Sequence, residues 1–153
     1  MEIAGGDLMD AYHTINDVLV SLFNEIMEIE QRVLITDEFK DISNNDMHII
    51  EAIGKEEPKN MSTVAKKLKV TVGTLTIAIN NLVKKGYVNR IRSEEDRRVV
   101  LLSLSDKGVS AYNHHEAFHK EMVTATLEGL NEQEQKVLVK ALTNLSGYFR
   151  RYN

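Results

Sequence analysis

The stretch from Ser62 to Leu104 concentrates the side-chain types that bind DNA. Residues 62–100 contain nine lysines and arginines against three carboxylates, a net charge of +6, whereas the whole chain of 153 residues carries −4. Lysine and arginine neutralise phosphates, and threonine and asparagine hydrogen-bond to base edges in the major groove. These residues indicate one basic, DNA-contacting region within a chain that is otherwise acidic.

The predicted DNA contacts lie on the polar face of one helix and on the hairpin that follows it. Asparagine can bond adenine through both its oxygen and its nitrogen, and an arginine at a hairpin tip fits a narrow minor groove. Asp96 would repel phosphates, so we expect it to hold Arg98 in position through a charge-assisted hydrogen bond. The predicted contact residues are Ser62, Thr71, Gly73, Thr74, Thr76, Ile77, Asn80, Asn81, Lys84, Arg92, Asp96, Arg97 and Arg98.

A helix-turn-helix followed by a two-stranded wing would position these side chains. In such a motif the second helix enters the major groove. Thr71 is a candidate N-cap of that helix, and Gly73 permits close approach of the backbone to DNA. The predicted elements are a helix Ser62–Leu68, a turn Lys69–Thr71, a helix Val72–Lys85 stopped by Gly86, and β-segments Tyr87–Arg92 and Arg98–Leu104 around the hairpin Ser93–Arg97.

Long amphipathic helices flank this motif, so the predicted fold is mostly α: a winged helix-turn-helix with long flanking dimerisation helices. We assign residues 9–36 and 105–153 to dimerisation and 37–104 to DNA binding. Two copies would bury the apolar stripes and place two recognition helices on a pseudo-palindromic operator in double-stranded DNA. A monomeric helical bundle is the alternative. The flanking helices are about Met9–Leu34, Asn44–Ile53 between Ser43 and Gly54, Ser105 to Leu127, and one that starts at Asn131 after Gly129.

The composition and motifs of the chain argue against several other classes of protein. Without cysteine, the chain has no thiol nucleophile and no thiolate metal site. It has no phosphate-binding glycine loop and no recognisable catalytic triad, so we predict that it is not an enzyme. No stretch approaches the ~18 apolar residues of a membrane span, and the first residues do not resemble a signal peptide, so we expect a cytoplasmic protein. A winged helix that binds proteins rather than DNA is an alternative against which the basic wing argues.

Four segments of the sequence resemble the MarR family of winged-helix regulators. They include the start and end of the recognition helix, the wing and the start of the following helix. The resemblance implies a triangular homodimer with one helix-turn-helix domain of MarR type, in which Asp96 and Arg98 take the wing roles of the family. The matching segments are Val70–Thr76, Leu82–Val88, Asp96–Arg98 and Leu104–Gly108.

Further residues resemble a subgroup of this family that represses genes of fatty-acid biosynthesis. They are Phe39–Ser43, Met47–His48, Ile53–Lys55, Asn80–Leu82, Arg92–Glu94 and Phe118–Lys120. The resemblance implies that a long-chain acyl group on acyl carrier protein acts as corepressor. It would need an apolar pocket between the first, second and fifth helices, although the same residues could form plain core. The predicted lining is Leu19, Leu22, Phe23, Ile26, Met27, Met47, Ile50 and Met122.

Histidines support a rival effector. His115 and His119 are four residues apart, so they share one face of a helix and could bind one metal ion. His48 and a carboxylate of the first helix, Glu30 or Glu28, could complete the site. A zinc-sensing branch of the MarR family uses a comparable set, and a purely structural role for the histidines is the other alternative. The sequence leaves the acyl and zinc effectors open.

Overall fold

The computed structural model describes residues 5–36 and 38–152, which form two compact units that divide between Glu116 and Ala117. The first unit contains the helix-turn-helix and the wing. The second contains the end of a long helix and the C-terminal helix. No helix within these ranges is long and apolar enough to cross a membrane.

The N-terminal helix is longer than predicted and changes its winding. Helix α1 spans Gly5–Asp17, a π-helical segment spans Val18–Leu22, and α2 spans Phe23–Leu34. The predicted single helix ends at the same residue as α2, Leu34. It begins four residues later than α1, because Gly5 and Gly6 were interpreted as a flexible segment before the helix. Apolar periodicity does not distinguish a π segment from α-helix, since it adds only one residue per turn.

The helices around the helix-turn-helix begin and end almost as predicted. Helix α3 spans Asn44–Ile53, α4 spans Met61–Leu68 and α5 spans Val72–Lys84. Ser43 caps α3 in a capping box with Asp46, and the predicted N-cap Thr71 accepts a hydrogen bond from Thr74 N over 3.1 Å. Lys69, in the turn, has a left-handed φ of 56°. The predicted caps therefore fix the start of α3 and the start of the recognition helix α5.

The wing belongs to a three-stranded antiparallel sheet rather than to a pair of strands. Strand β1 spans Lys59–Asn60, β2 spans Val88–Arg92 and β3 spans Val100–Leu104, in the order β1-β3-β2. Strands β2 and β3 are the predicted wing, each trimmed at its start. The predicted two-stranded wing is confirmed. Strand β1 was not predicted, because its two residues lie in a polar loop without strand periodicity.

The core of the first unit lies between α3, α4, α5 and the sheet. The inward face of the recognition helix packs as predicted, since Leu75, Ile79 and Leu82 are buried. The remaining core members come from the end of α2, the connector after it, α3, α4, Tyr87 at the start of the wing, β2, β3 and the helix that follows β3. They include Leu34, Phe39, Ile42, Met47, Ile50, Ile53, Val64, Tyr87 and Leu102.

The base of the wing is tied to the start of the next helix, α6, which spans Asp106–Leu127. Ser105 Oγ donates to Gly86 O over 2.5 Å and accepts a hydrogen bond from Gly108 N over 3.1 Å. Ser105 N also donates to Tyr87 O over 3.0 Å. A Cβ added at Gly108 would lie 2.1 Å from Tyr87 O, so only glycine fits at this crossing. The predicted cap Ser105 thus closes the wing as well.

The second unit contains the C-terminal part of α6 and helix α7, Glu132–Phe149, followed by a 3₁₀ turn Arg150–Tyr152. Gly129, with φ of 79°, separates the two helices. Asn131 and Glu134 form the predicted capping box. Helix α7 has no buried residue, and several of its large apolar side chains are exposed. These are Val137, Val139, Leu142, Tyr148 and Phe149.

Candidate DNA interface

The recognition helix presents its predicted contact residues to solvent. Thr71, Gly73, Thr74, Ile77, Asn80, Asn81 and Lys84 are exposed, Thr76 is half-buried, and Ser62 is exposed on α4. Ile77 has 68% of its surface exposed. An exposed isoleucine among threonines and asparagines can contact a thymine methyl group. This face is therefore chemically suited to reading base edges.

The wing hairpin is held by the predicted carboxylate–arginine contact. Asp96 Oδ1 accepts hydrogen bonds from Arg98 N over 3.0 Å and from Arg98 Nε over 3.3 Å. Arg92 Nη1 donates to Arg97 O over 3.0 Å and so braces the opposite side of the hairpin. Arg92, Asp96, Arg97 and Arg98 are all exposed. The expectation that Asp96 positions Arg98 is met, because both a backbone and a side-chain donor converge on one carboxylate oxygen.

A polar network, which the sequence did not reveal, joins the end of the recognition helix to its neighbours. Tyr87 Oη donates to Asp41 Oδ1 over 2.5 Å, and Lys107 Nζ lies 3.8 Å from Asp41 Oδ2 and 4.3 Å from the centre of the Tyr87 ring. Lys85 Nζ pairs with Asp46 Oδ2 over 3.2 Å. The network orients α5 relative to the connector after α2 and to the start of α6.

The same network shifts two pKa values in opposite directions. The hydrogen bond from Tyr87 lowers the pKa of Asp41 and outweighs its partial desolvation, with Lys107 adding to the effect. Burial, and then the bond to Asp41, raises the pKa of Tyr87. The tyrosine hydroxyl therefore keeps its proton as donor, and the aspartate stays ionised as acceptor.

The predicted acyl-pocket residues fall into two groups within the first unit. Leu19, Leu22, Phe23 and Met27 are exposed on the N-terminal helix, and Ile26 is half-buried. Met47 and Ile50 are fully buried in the hydrophobic core, and their place in a pocket lining stays a prediction. Their burial agrees with the alternative prediction that these residues belong to the hydrophobic core.

Of the remaining pocket and metal candidates, two lie on α6 and one on α3. Met122 is half-buried in the second unit, and His119 follows one turn after His115. His48 was predicted to complete a metal site with His115 and His119, but it lies elsewhere. It is exposed beside the helix-turn-helix, in a cleft lined by Asn45, Ile49, Leu68, Val70, Thr74, Leu75 and Ala78.

Glu51, rather than His48, joins Glu30 at His115. The buried His115 ring contacts Glu30 Oε1 through Nε2 and lies 2.7 Å from Glu51 Oε1 through Nδ1. Burial lowers the pKa of His115, but the hydrogen bonds to Glu51 and Glu30 outweigh it and raise this pKa overall. The three side chains form an ion triad that connects α2, α3 and α6. The sequence did not predict this role for Glu51, because its position on α3 is one that an ordinary surface carboxylate could also occupy.

These features define a winged helix-turn-helix DNA-binding protein. The MarR family model matches residues 42–100. FabT of Streptococcus pneumoniae, solved in complex with DNA, is 45% identical in sequence, with a TM-score of 0.82 over 93% of this chain and 99% of that chain. This level of identity across nearly the whole relative shows that the chain belongs to the MarR family.

Two further proteins are similar to this chain. S. aureus MepR, also solved with DNA, has a TM-score of 0.67 over 86% of this chain and 94% of its own, at 19% identity, and so supports the fold. The HTH-type transcriptional regulator PchR of Bacillus subtilis (strain 168) is 28% identical over 103 residues, which are 65% of this chain and 61% of PchR. The predicted family and fold class are confirmed, and the chain is a DNA-binding transcriptional regulator rather than an enzyme.

Proposed function

We propose that the chain is a homodimeric repressor of fatty-acid biosynthesis genes, with long-chain acyl-acyl carrier protein as its corepressor. The observation that carries this proposal is the 45% identity to FabT over 99% of that protein. It is supported by the segments that resemble the fatty-acid subgroup of the family. The recognition helix would enter the major groove of each half of a pseudo-palindromic operator, with the wing arginines in the flanking minor grooves.

Exposed apolar surface supports the dimer. Leu8, Tyr12 and Ile15 on α1 and Leu142 and Phe149 on α7 each expose more than half of their surface. Contiguous apolar faces on two helices would be costly in water and are typical of subunit interfaces. We therefore propose that α1 and α7 form the dimer interface.

The exposed apolar residues near the π segment support an acyl site. Leu19, Leu22, Phe23 and Met27 line the same helix around and just beyond Val18–Leu22. π-helical turns are frequent at functional sites, and methionine adapts to ligands of different shape. An acyl chain bound against these residues would favour one spacing of the two winged regions, which is worth about 1–3 kcal/mol in typical allosteric systems.

One titration tests the effector. We would measure the affinity for a promoter fragment of a fatty-acid synthesis operon with no addition, zinc, free fatty acid, acyl-free carrier protein or long-chain acyl carrier protein. We expect only the acylated carrier protein to tighten binding. Leu22→Asp should abolish this enhancement and keep the basal affinity, whereas Lys140→Ala, on α7, should keep both. Enhancement by zinc alone would overturn the acyl proposal.

Zinc is the second candidate effector because Glu30, Glu51 and His115 converge in the first unit. Carboxylate and imidazole groups are suitable zinc ligands. As arranged, however, both ring nitrogens of His115 face carboxylates, which favours a protonated imidazolium. Zinc would have to displace a ring proton, so it should bind more weakly as the pH falls. Isothermal titration at about pH 6 and about pH 8 measures this difference.

A further inference from the structure

One charged hydrogen bond joins the recognition helix to the wing. Arg90 Nη1 on β2 donates to Asn80 Oδ1 on α5 over 2.7 Å. A guanidinium group has N–H donors and no acceptor, so the amide must turn its oxygen towards Arg90. The chemistry of the partner therefore settles which end of the Asn80 amide faces Arg90. The Nδ2 amino group is directed elsewhere.

We propose that Arg90 biases Asn80 towards donating hydrogen bonds to base acceptors on DNA, at the expense of bidentate recognition of adenine. In this role Asn80 touches the base and Arg90 is a positioning residue. The inference rests on DNA binding by the recognition helix and is independent of which effector controls the protein.

The hydrogen-bond donors and acceptors on the base edges determine which bases Asn80 can recognise. Adenine presents an acceptor, N7, and a donor, N6, in the major groove, and asparagine recognises it by using its oxygen and its nitrogen together. With one lone pair of Oδ1 engaged by the charged Arg90, Asn80 is a weaker acceptor for DNA, and its N–H groups are what it offers most readily. These suit guanine N7 and O6 or thymine O4. Adenine N6 would have to share Oδ1 with a charge-assisted hydrogen bond, which is stronger than a neutral one and holds the oxygen towards Arg90.

Buried neighbours hold the two backbones in place. Arg90 pairs in register with Leu102, which is fully buried, and the fully buried Ile79 precedes Asn80 on α5. Both Arg90 and Asn80 themselves are exposed. Substitution of either side chain should therefore change the surface and leave the core intact.

Arg92 provides a matched control. It lies two residues after Arg90 on the same face of β2, is also exposed, and donates to Arg97 O over 3.0 Å instead of to the recognition helix. Arg90→Met and Arg92→Met therefore remove the same charge from the same strand. Only the first releases the Asn80 amide.

The test is selection of binding sites from randomised DNA, without effector and at low salt, where phosphate contacts keep weakened variants bound. We expect Arg90→Met to gain an adenine preference of about five- to a hundredfold at one base pair of each half-site, as for a bidentate pair. Asn80→Ala in the same background should remove this preference. Arg92→Met should bind DNA more weakly but should not gain the adenine preference. Arg90→Lys should keep the wild-type profile, because an ammonium group also only donates.

Several results would overturn the inference. They are an unchanged profile for Arg90→Met, an adenine preference in the wild type that Asn80→Ala removes, the same new preference in Arg92→Met, or an Asn80→Ala profile identical to wild type. Thermal unfolding followed by circular dichroism checks that each variant is folded. A wild-type protein that enriches no sequence would overturn DNA reading itself, whereas failure of the acyl proposal would leave all of these profiles unchanged.

Discussion

At the scale of single residues, the wing shows how an acidic side chain can serve a DNA-binding surface. Asp96 accepts two hydrogen bonds from Arg98, and the hairpin around them is otherwise fully accessible to a ligand. A carboxylate that holds the arginine in one orientation lowers the entropy lost when the arginine enters a groove. We expect the pair to act together in binding.

Replacing Arg98 with alanine should weaken operator binding by roughly 1–3 kcal/mol, as expected for a positioned arginine contact. Asp96→Ala should weaken it by less, because the arginine remains but is no longer oriented. Fluorescence anisotropy with a labelled operator measures both, and ultracentrifugation should show an unchanged assembly state. Wild-type affinity in Arg98→Ala would contradict the wing assignment.

Asp41 should make the stability of the first unit depend on pH. Its pKa is lowered in the folded state, so its contribution is present above the unfolded pKa and is lost as the pH falls through the folded value. We expect Asp41→Asn to be less stable than wild type by roughly 1 kcal/mol near neutral pH, since the carboxylate is partly exposed. The difference should shrink below about pH 4.

Urea unfolding of wild type, Asp41→Asn and Tyr87→Phe across this pH range checks the prediction. Tyr87→Phe removes the donor of the same hydrogen bond and should reduce the pH dependence in the same way. A stability difference between wild type and Asp41→Asn that is equally large near pH 3 and near pH 7 would show that ionisation of Asp41 is not its origin.

At the scale of elements, the start of α6 is fixed by its close crossing over the wing. A side chain at Gly108 would collide with the Tyr87 carbonyl group, whereas a Cβ at Gly147 in α7 would meet nothing within 4 Å. Gly108→Ala should therefore destabilise the protein by about 1–3 kcal/mol, as overpacking does. Gly147→Ala should stabilise it by about 0.5–1 kcal/mol, because alanine favours helix.

Chemical denaturation of the two glycine variants gives a direct comparison, since both introduce the same methyl group on a helix. Operator affinity provides a second readout. Displacement of α6 relative to Tyr87 should weaken DNA binding in Gly108→Ala only. Equal stabilities for the two variants would contradict the role assigned to the crossing.

The sequence predicted the elements where a local signal exists. Ser43, Thr71, Ser105 and Asn131 have side chains that satisfy the first backbone N–H groups of a helix, so residue type marked the helix starts. Strand β1 and the π segment have no such signal, because their geometry depends on a partner strand and on the winding of a long helix. The wing pair Asp96–Arg98 was predictable because its partners are two residues apart.

Contacts between distant residues were not predictable in this way. His115 meets Glu30 and Glu51, which are remote in sequence, and Asn80 meets Arg90 across the turn into β2. A single sequence shows the residue types but not which of several carboxylates or amides lies opposite. The prediction of His48 as a partner of His115 failed for this reason.

At the scale of the whole molecule, the proposed dimer makes assembly and DNA binding inseparable. One winged region alone makes half of the phosphate contacts, and affinity falls steeply with each lost contact at physiological salt. The acidic charge outside residues 62–100 also keeps the two copies from binding nucleic acid through the wrong surface.

Leu142→Asp should shift the protein from dimer to monomer, because a charge replaces an apolar side chain that is 53% exposed on α7. Operator binding should fall by tenfold or more, roughly the 1.4 kcal/mol or greater loss expected when one half-site is released. Sedimentation velocity and anisotropy measure the two effects. Lys140→Ala is the control on the same helix, and a dimeric Leu142→Asp protein would place the interface elsewhere.

Because the wing is closed at its base, the length of its hairpin can change without affecting the rest of the fold. Ser105 bonds the Gly86 and Tyr87 carbonyl groups, so the chain leaves and re-enters the core at one point, whatever lies between. Residues inserted after Glu94 would extend the tip into solvent without moving α5 or α6. The reach of the arginines along the DNA is thus free to vary through insertions and deletions, while the recognition helix and its core stay constant.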